Sequence, residues 1–179
     1  MIHYVTGGDL LTSNCNFICH QVNCQGKMGS GVAKQIRDRW PEVYINYQFK
    51  CDQAWAAERE DPMSTISDFL LGDIQIVQLE KPNVIAGQSV INMFAQEFYG
   101  YSGARYTSYD AFWNCLHLIK NKIPNKSTIA FPYNIGCGLG GANWEVIVTM
   151  IDVVLKDYDV YIYRLNPWYE DLGPKEVKK

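Results

Sequence analysis

The chain has 179 residues, 47% of them hydrophobic and 20% charged, and a formal net charge of -3. That is enough for one domain with a substantial core, and the composition is that of an ordinary globular protein. The slight negative balance argues against a broad nucleic-acid-coating surface, and no apolar run approaches the length of a membrane span.

The start of the chain, Met1-Ile2-His3-Tyr4-Val5-Thr6, lacks the basic and then apolar pattern of a signal peptide. Without a secretory signal the expected compartment is the cytoplasm, and the six cysteines are expected to be reduced and mostly buried. Cys15, Cys19 and Cys24 are too widely spaced for a zinc knuckle, and no histidine pair has metal spacing. Neither a metal nor a cofactor is expected.

Ile2 to Thr6 reads as a first strand, ended by Gly7-Gly8. Phe17 to Val22 is a second apolar run that leads straight into the turn Gly26-Lys27-Met28-Gly29-Ser30-Gly31. A helix is expected over Val32 to Arg39. Pro41 then opens another, running to about Ala57, at the first-turn position where proline is tolerated. Residues 58–68 are polar, contain a proline and read as a loop. Ile74 to Leu79 is strand-like, Lys81-Pro82-Asn83 marks a turn, and Ser89 to Gln96 is a further strand. Gly100 to Arg105 reads as a flexible loop flanked by aromatic residues.

Thr107-Ser108-Tyr109-Asp110 has the form of a capping box, with Asp in place of the usual Glu. The helix it opens places Tyr109, Phe112, Trp113, Leu116 and Ile119 on one face. Ser127 to Phe131 forms the strand before a second turn, Gly136-Cys137-Gly138-Leu139-Gly140-Gly141. Asn143 is the expected N-cap of an amphipathic helix carrying Trp144, Ile147, Val148, Ile151, Val154 and Leu155. Asp159 to Leu165 is the last strand, and a frayed tail is expected from Asn166 onward. Strands and helices alternate, which predicts a three-layer α/β/α sandwich with a mixed, mostly parallel central sheet. A single domain is expected over residues 1–165, with 166–179 as a C-terminal tail.

The two glycine turns carry the chemistry. Glycine lets a backbone approach a ligand closely, and a turn that ends at a helix start offers unpaired N–H groups and the positive end of the dipole. Two such turns in one domain point to a clamp on a molecule with two phosphates. The second turn contains Gly136-x-Gly138-x-x-Gly141, formally a dinucleotide fingerprint. However, Asp157 and Asp159, about 20 positions on, fall before the next strand rather than at its end, which weighs against a nicotinamide-binding domain. The first turn lacks the Gly-x-x-x-x-Gly-Lys-Ser/Thr pattern of a P-loop.

These residues, taken together, match a known pattern: Gly8-Asp9-Leu10, Ile18-Cys19-His20-Gln21-Val22-Asn23, Met28-Gly29-Ser30-Gly31-Val32-Ala33, Pro132-Tyr133-Asn134-Ile135-Gly136-Cys137-Gly138-Leu139 and Trp144-Glu145. In this set the chain resembles the macro domains, which bind ADP-ribose and its derivatives. The resemblance implies that Asp9, with Leu10 beside it, accepts a hydrogen bond from the adenine amino group; on residue type alone Asp9 reads as an N-cap or Asx-turn residue. Backbone groups of Gly29, Ser30, Gly31 and Val32 are implied to hold one side of the diphosphate and the distal ribose, and those of Ile135, Gly136, Cys137, Gly138 and Leu139 the other. Tyr133 and Asn134 are implied to lie against the adenine or the proximal ribose. Asn23 matches the family's ribose-contacting asparagine, or else caps a strand end. His20 matches a histidine of the phosphatase subgroup, or else is a satisfied core residue. Asn23 and His20 are the catalytic candidates.

Within the family the motifs look like the branch of the terminal ADP-ribose protein glycohydrolase and the yeast-type ADP-ribose-1''-phosphate phosphatase. The glycohydrolase's nucleophilic lysine and its aspartate correspond here to Ala95 or Gln96 and to Gly140. None of these can form a Schiff base or act as a general base. The expected activity is therefore hydrolysis of a substituted ADP-ribose, first of all the 1''-phosphate, by a water that Gln96 and Glu97 could place. The alternatives are a non-catalytic ADP-ribose reader and a hydrolase that removes mono-ADP-ribose from protein or nucleic acid. Tyr99 and Tyr101 either cover the distal ribose or pack the loop, and Lys27 either faces the phosphates or is solvated. The implied partners are ADP-ribose derivatives and ADP-ribosylated macromolecules, with no membrane.

Overall fold

Each of the six apolar runs expected as strands forms one in the computed structural model, which describes residues 1–61, 63–80 and 86–165. In chain order the elements are β1 (Ile2–Thr6), a 3₁₀ turn (Leu10–Thr12), β2 (Phe17–Asn23), α1 (Gly31–Arg39), α2 (Pro41–Glu60) and α3 (Ile66–Leu70). There follow β3 (Ile74–Gln78), β4 (Ser89–Gln96), α4 (Tyr109–Lys122), β5 (Thr128–Pro132), α5 (Trp144–Val154) and β6 (Asp159–Arg164). The strands form one sheet in the order β1-β6-β5-β2-β4-β3. All neighbours run parallel except β3, which is antiparallel to β4.

The sheet is covered on both faces, so its inner strands read as nearly continuous apolar runs. Along β2 the side chains alternate: Ile18 and Val22 pack towards α1, α2 and α3, while Cys19 packs towards α4 and α5. The helix α2 buries Val43, Tyr47, Cys51 and Ala54, a stripe at helical spacing. Pro41 sits in its first turn as expected, and the residue before it, Trp40, takes a non-helical conformation that ends α1. All six cysteines are free, and five of them are buried. Among the described residues no helix is long and apolar enough to cross a membrane.

Several boundaries differ from expectation. The stretch 58–68 is not a loop throughout, because α2 continues to Glu60 and α3 begins at Ile66. A reciprocal capping box of Thr65 and Asp68 stabilises that short helix. Ahead of α4, Ser108 rather than Thr107 is the N-cap, its side chain accepting from Ala111 N–H. Thr107 is buried and occupied elsewhere. Trp113 is exposed, and the inner face of α4 uses Ala111, Phe112, Cys115, Leu116 and Ile119 instead. The expected turn at Lys81-Pro82-Asn83 and the tail from Asn166 lie outside the described residues.

The topology determines where a ligand can enter. After β2 the chain moves through α1 and α2 towards β3 and β4, while after β5 it moves through α5 to β6, on the other side. The crevice between β2 and β5 is therefore a topological switch point, where open α/β sheets bind ligands. The two strands pair only at Phe17 with Ile129 and Ile18 with Ala130, whereas β2 pairs with β4 along its whole length. Beyond Ile18 they part, and their carboxyl ends open into a cleft.

Candidate functional site

The cleft has a volume of about 400 Å³, within the usual range for small-molecule sites. Its floor is β2 from His20 to Asn23 and the end of β5 at Pro132 and Tyr133. Both glycine turns form its walls, through Gly29, Ser30, Gly31, Val32 and Ala33 on one side and Asn134, Ile135, Gly136, Gly138, Leu139 and Gly140 on the other. Gln96, Tyr99, Gly100 and Tyr101 close one end, and Lys27 adds a cation. Of the residues expected in the site, Asp9, Leu10 and Cys137 do not line this cleft. Asp9 follows the edge strand β1 and caps the 3₁₀ turn, accepting from Leu11 N–H at 2.9 Å. Leu10 is buried in the core, and Glu97 is also outside the lining.

The first wall is a helix terminus left open. The first bond within α1 runs from Lys34 N–H to Ser30 C=O at 3.1 Å, so the amides of Gly31, Val32 and Ala33 precede it. Ser30 stands at the N-cap, yet its side chain makes no capping bond. The free amides and the dipole together favour an anion at this wall.

Asn23 builds the approach to that wall. Its Oδ1 accepts from Gln25 N–H at 2.9 Å, Lys27 N–H at 3.3 Å and the buried Tyr47 hydroxyl at 2.9 Å. Its Nδ2 donates to Lys27 C=O at 2.7 Å, which leaves one N–H of the amide without a partner among the described residues. Asn23 thus ties the turn together, with one amide N–H to spare.

The second wall is held by a network that the residue types did not announce. Thr107 Oγ1 donates to Gly136 C=O at 2.9 Å, and Gln96 Nε2 donates to Phe98 C=O at 2.8 Å. Both remaining oxygens accept from Gln21 Nε2, at 2.8 Å from Thr107 and 2.6 Å from Gln96. Gln21 Oε1 is left buried without a hydrogen-bond partner among the described residues, and a methyl on Gly136 would lie 2.7 Å from it. A methyl on Gly140 would collide with Gly136 C=O and Thr107 Oγ1. There is thus no room for an aspartate at position 140. The sequence does carry a signal for this network: polar residues inside otherwise apolar strands, which are buried only when hydrogen-bonded.

Tyr133 has its ring 4.8 Å from that of Trp144, and the Arg164 guanidinium lies 4.8 Å over its face. The thiols offer no nucleophile. Burial raises Cys137 to about 11 and Cys24 to about 12, and raises Cys19 and Cys115 as well, so these thiols stay protonated at neutral pH. His20, 1% exposed, is held down to about 4 by burial, against the opposing effect of its bond to Asn92.

Residues 19–151 match the macro domain family. The chain belongs to the macro domain family. It is 28% identical over 166 residues to a Mycobacterium tuberculosis protein named DNA ADP-ribosyl glycohydrolase, an alignment covering 91% of this chain and 42% of that one. The chain thus spans less than half the length of that relative. Among solved structures, the macrodomain of Thermus aquaticus DarG has a TM-score of 0.67 at 20% identity, with 92% of this chain and 98% of that one covered. Thermosipho africanus DarTG, solved in complex with ADP-ribose, has a TM-score of 0.67 at 21% identity, covering 93% of this chain and 42% of that one.

Proposed function

We propose that the cleft binds ADP-ribose and that the domain hydrolyses a substituted ADP-ribose. The observation that carries this reading is the pair of facing walls, an uncapped helix terminus and a glycine turn, opening on a cleft whose lining among the described residues includes no carboxylate. A diphosphate meets free amides and the cation of Lys27 there, and no like charge among the lining groups. The ligand of the Thermosipho africanus structure supports ADP-ribose as the occupant. Asp9, which lies outside the cleft lining and has one carboxylate oxygen taken by Leu11 N–H, is assigned to the adenine amino group on the family resemblance alone. The backbones of Gly29 to Val32 and of Ile135 to Leu139 are assigned to the diphosphate and distal ribose.

The name of the mycobacterial relative supports an ADP-ribosyl bond to DNA as the one cut. In that reaction the oxygen of water bonds to C1'' of the distal ribose, and the base leaves with the electron pair of the glycosidic bond and a proton. The 1''-phosphate expected from the sequence is the alternative substrate, with water attacking phosphorus. The glycohydrolase's own lysine and aspartate have no counterpart here, because Ala95 and Gln96 carry no amine and Gly140 has no space for a base. Asn23, through its spare N–H, and His20 are assigned to orient the distal ribose, a reading supported by their position in the cleft lining.

A reader without turnover is the second reading, favoured by the absence of a carboxylate among the lining residues. Calorimetry with ADP-ribose and with NAD tests the cleft; stronger binding of NAD would sink the assignment. Incubation with ADP-ribosylated oligonucleotide, ADP-ribosylated protein and ADP-ribose-1''-phosphate, side by side, tests the chemistry. Free ADP-ribose from the oligonucleotide supports the glycohydrolase, phosphate release alone reassigns the reaction, and binding with no product makes the domain a reader.

A further inference from the structure

His20 sits at one end of a chain of amides that crosses three strands. Its Nε2 lies 2.5 Å from Asn92 Oδ1, Asn92 Nδ2 donates to Gln75 Oε1 at 2.9 Å, and Gln75 Nε2 donates to Asn46 C=O on α2 at 2.8 Å. The far end sets the direction of every link. A backbone carbonyl only accepts, so Gln75 must present its NH₂ to Asn46 and its oxygen to Asn92. Asn92 must then present its NH₂ to Gln75 and its oxygen to His20, and an oxygen facing Nε2 requires the ring proton to be there. The amides do not titrate, so the direction of the chain is independent of pH.

The consequence falls on the other ring nitrogen. Nδ1 is buried and has no hydrogen-bond partner among the described residues, while His20 forms part of the cleft wall. With Nε2 turned to β4, Nδ1 is turned away from it, as a bare lone pair. Leaving such an acceptor unpaired costs stability unless something outside the protein completes it.

We propose that Asn92 and Gln75 are positioning residues that hold His20 as the neutral Nε2–H tautomer, so that Nδ1 accepts a hydrogen bond from a ribose hydroxyl of the bound ligand. The proposal rests on the reading of the cleft as an ADP-ribose site. Burial keeps the ring uncharged at neutral pH, which is the state the proposal requires.

Imidazole ¹⁵N spectra of the whole chain, with and without ADP-ribose, test both halves. The free protein is expected to show a single His20 tautomer protonated at Nε2, and saturation with ADP-ribose is expected to move the Nδ1 resonance. Gln75→Leu, a change at a half-buried residue on the edge strand, unpins Asn92 and lets both tautomers appear. If about half of the molecules then remain competent, the apparent affinity for ADP-ribose falls about twofold. Gln75→Glu, whose carboxylate can only accept, restores the single tautomer. An Nδ1–H form in the free protein, a single tautomer in Gln75→Leu, or an Nδ1 resonance unmoved at saturation overturns the proposal. Calorimetry on the same samples separates the two readings: no heat with ADP-ribose overturns the ADP-ribose site and the ligand half together, while the free-protein spectrum still decides the tautomer.

Discussion

The two glycine turns look alike in sequence and differ in what their glycines are for. In the first, a methyl added to Gly29 or Gly31 meets nothing within 4 Å, and Gly31 has φ +57°. In the second, Gly136, Gly140 and Gly141 are pressed against Gln21, Thr107, Ala104 and Arg105, and only Gly138 is open. The open glycines line the cleft and leave their backbone uncovered, as a close approach by a ligand requires. Packed glycines leave space for the protein itself. The contrast teaches that one glycine motif can leave open space at one position and make room for a hydrogen-bond network two residues away.

The largest effect is expected where packing is tightest. Gly140→Ala places a methyl against a backbone carbonyl and the Thr107 hydroxyl, and neither can move without breaking the ties to Gln21 and Gly136. A loss of at least about 3 kcal/mol in urea denaturation is expected, at the upper end for overpacking. Wild-type stability in Gly140→Ala would show that the second turn is as open as the first. The same geometry predicts that Gly140→Asp with Gln96→Lys does not restore a glycohydrolase centre, because the carboxylate has no place to sit.

The acceptors beneath the two turns also differ, since Gln21 cannot titrate and His20 can. His20 has a folded pKa of about 4, against 6.5 unfolded. Between those values the unfolded chain binds the proton and the folded chain does not. His20's contribution is therefore fully present above about pH 6.5 and is lost as pH falls towards 4, a span of roughly 3 kcal/mol. Urea midpoints at pH 7 and pH 4.5, compared between wild type and His20→Gln, isolate this contribution. An equal acid loss in both proteins would remove His20 as its source.

Much of this was legible from local patterns. β1 and β4 begin and end where their apolar runs do, and Asn143 caps α5 by accepting from Glu145 and Val146 N–H. Helix and strand periods are local, so they survive in the sequence. The short helix α3 is not legible in the sequence, because five residues carry too little periodicity, although Thr65 and Asp68 have the same capping spacing as Thr107 and Asp110. Both glycine turns and Asn23 were legible as parts of the cleft. The supports did not: His20 meets Asn92 across 72 positions and Gln21 meets Thr107 across 86, and no spacing rule connects residues so far apart.

Asn23→Ala should have an intermediate effect on the first turn. It removes the acceptor shared by Gln25, Lys27 and the Tyr47 hydroxyl, though Tyr47 keeps its second bond, to Asn23 C=O at 2.8 Å. The expected cost is about 1–3 kcal/mol, read by denaturation, with a parallel loss of ADP-ribose affinity as the loop before α1 loosens. Loss of affinity with unchanged stability would assign Asn23 to the ligand alone.

The sharpest separation should come from the smallest structural change. Gly29→Ala adds a methyl to empty space at a position whose φ is not left-handed, so stability should stay within about 0.5 kcal/mol of wild type. Gly138→Ala has the same geometry on the opposite wall. In each the methyl intrudes where the diphosphate would lie against backbone amides, and ADP-ribose affinity should fall about tenfold, or about 1.4 kcal/mol. Calorimetry beside denaturation reads both quantities on one sample. If Gly29→Ala binds as well as wild type, the open space on the first wall is not a diphosphate site. If Gly29→Ala loses binding and Gly138→Ala keeps it, the helix terminus alone holds the phosphates and the second turn serves the fold.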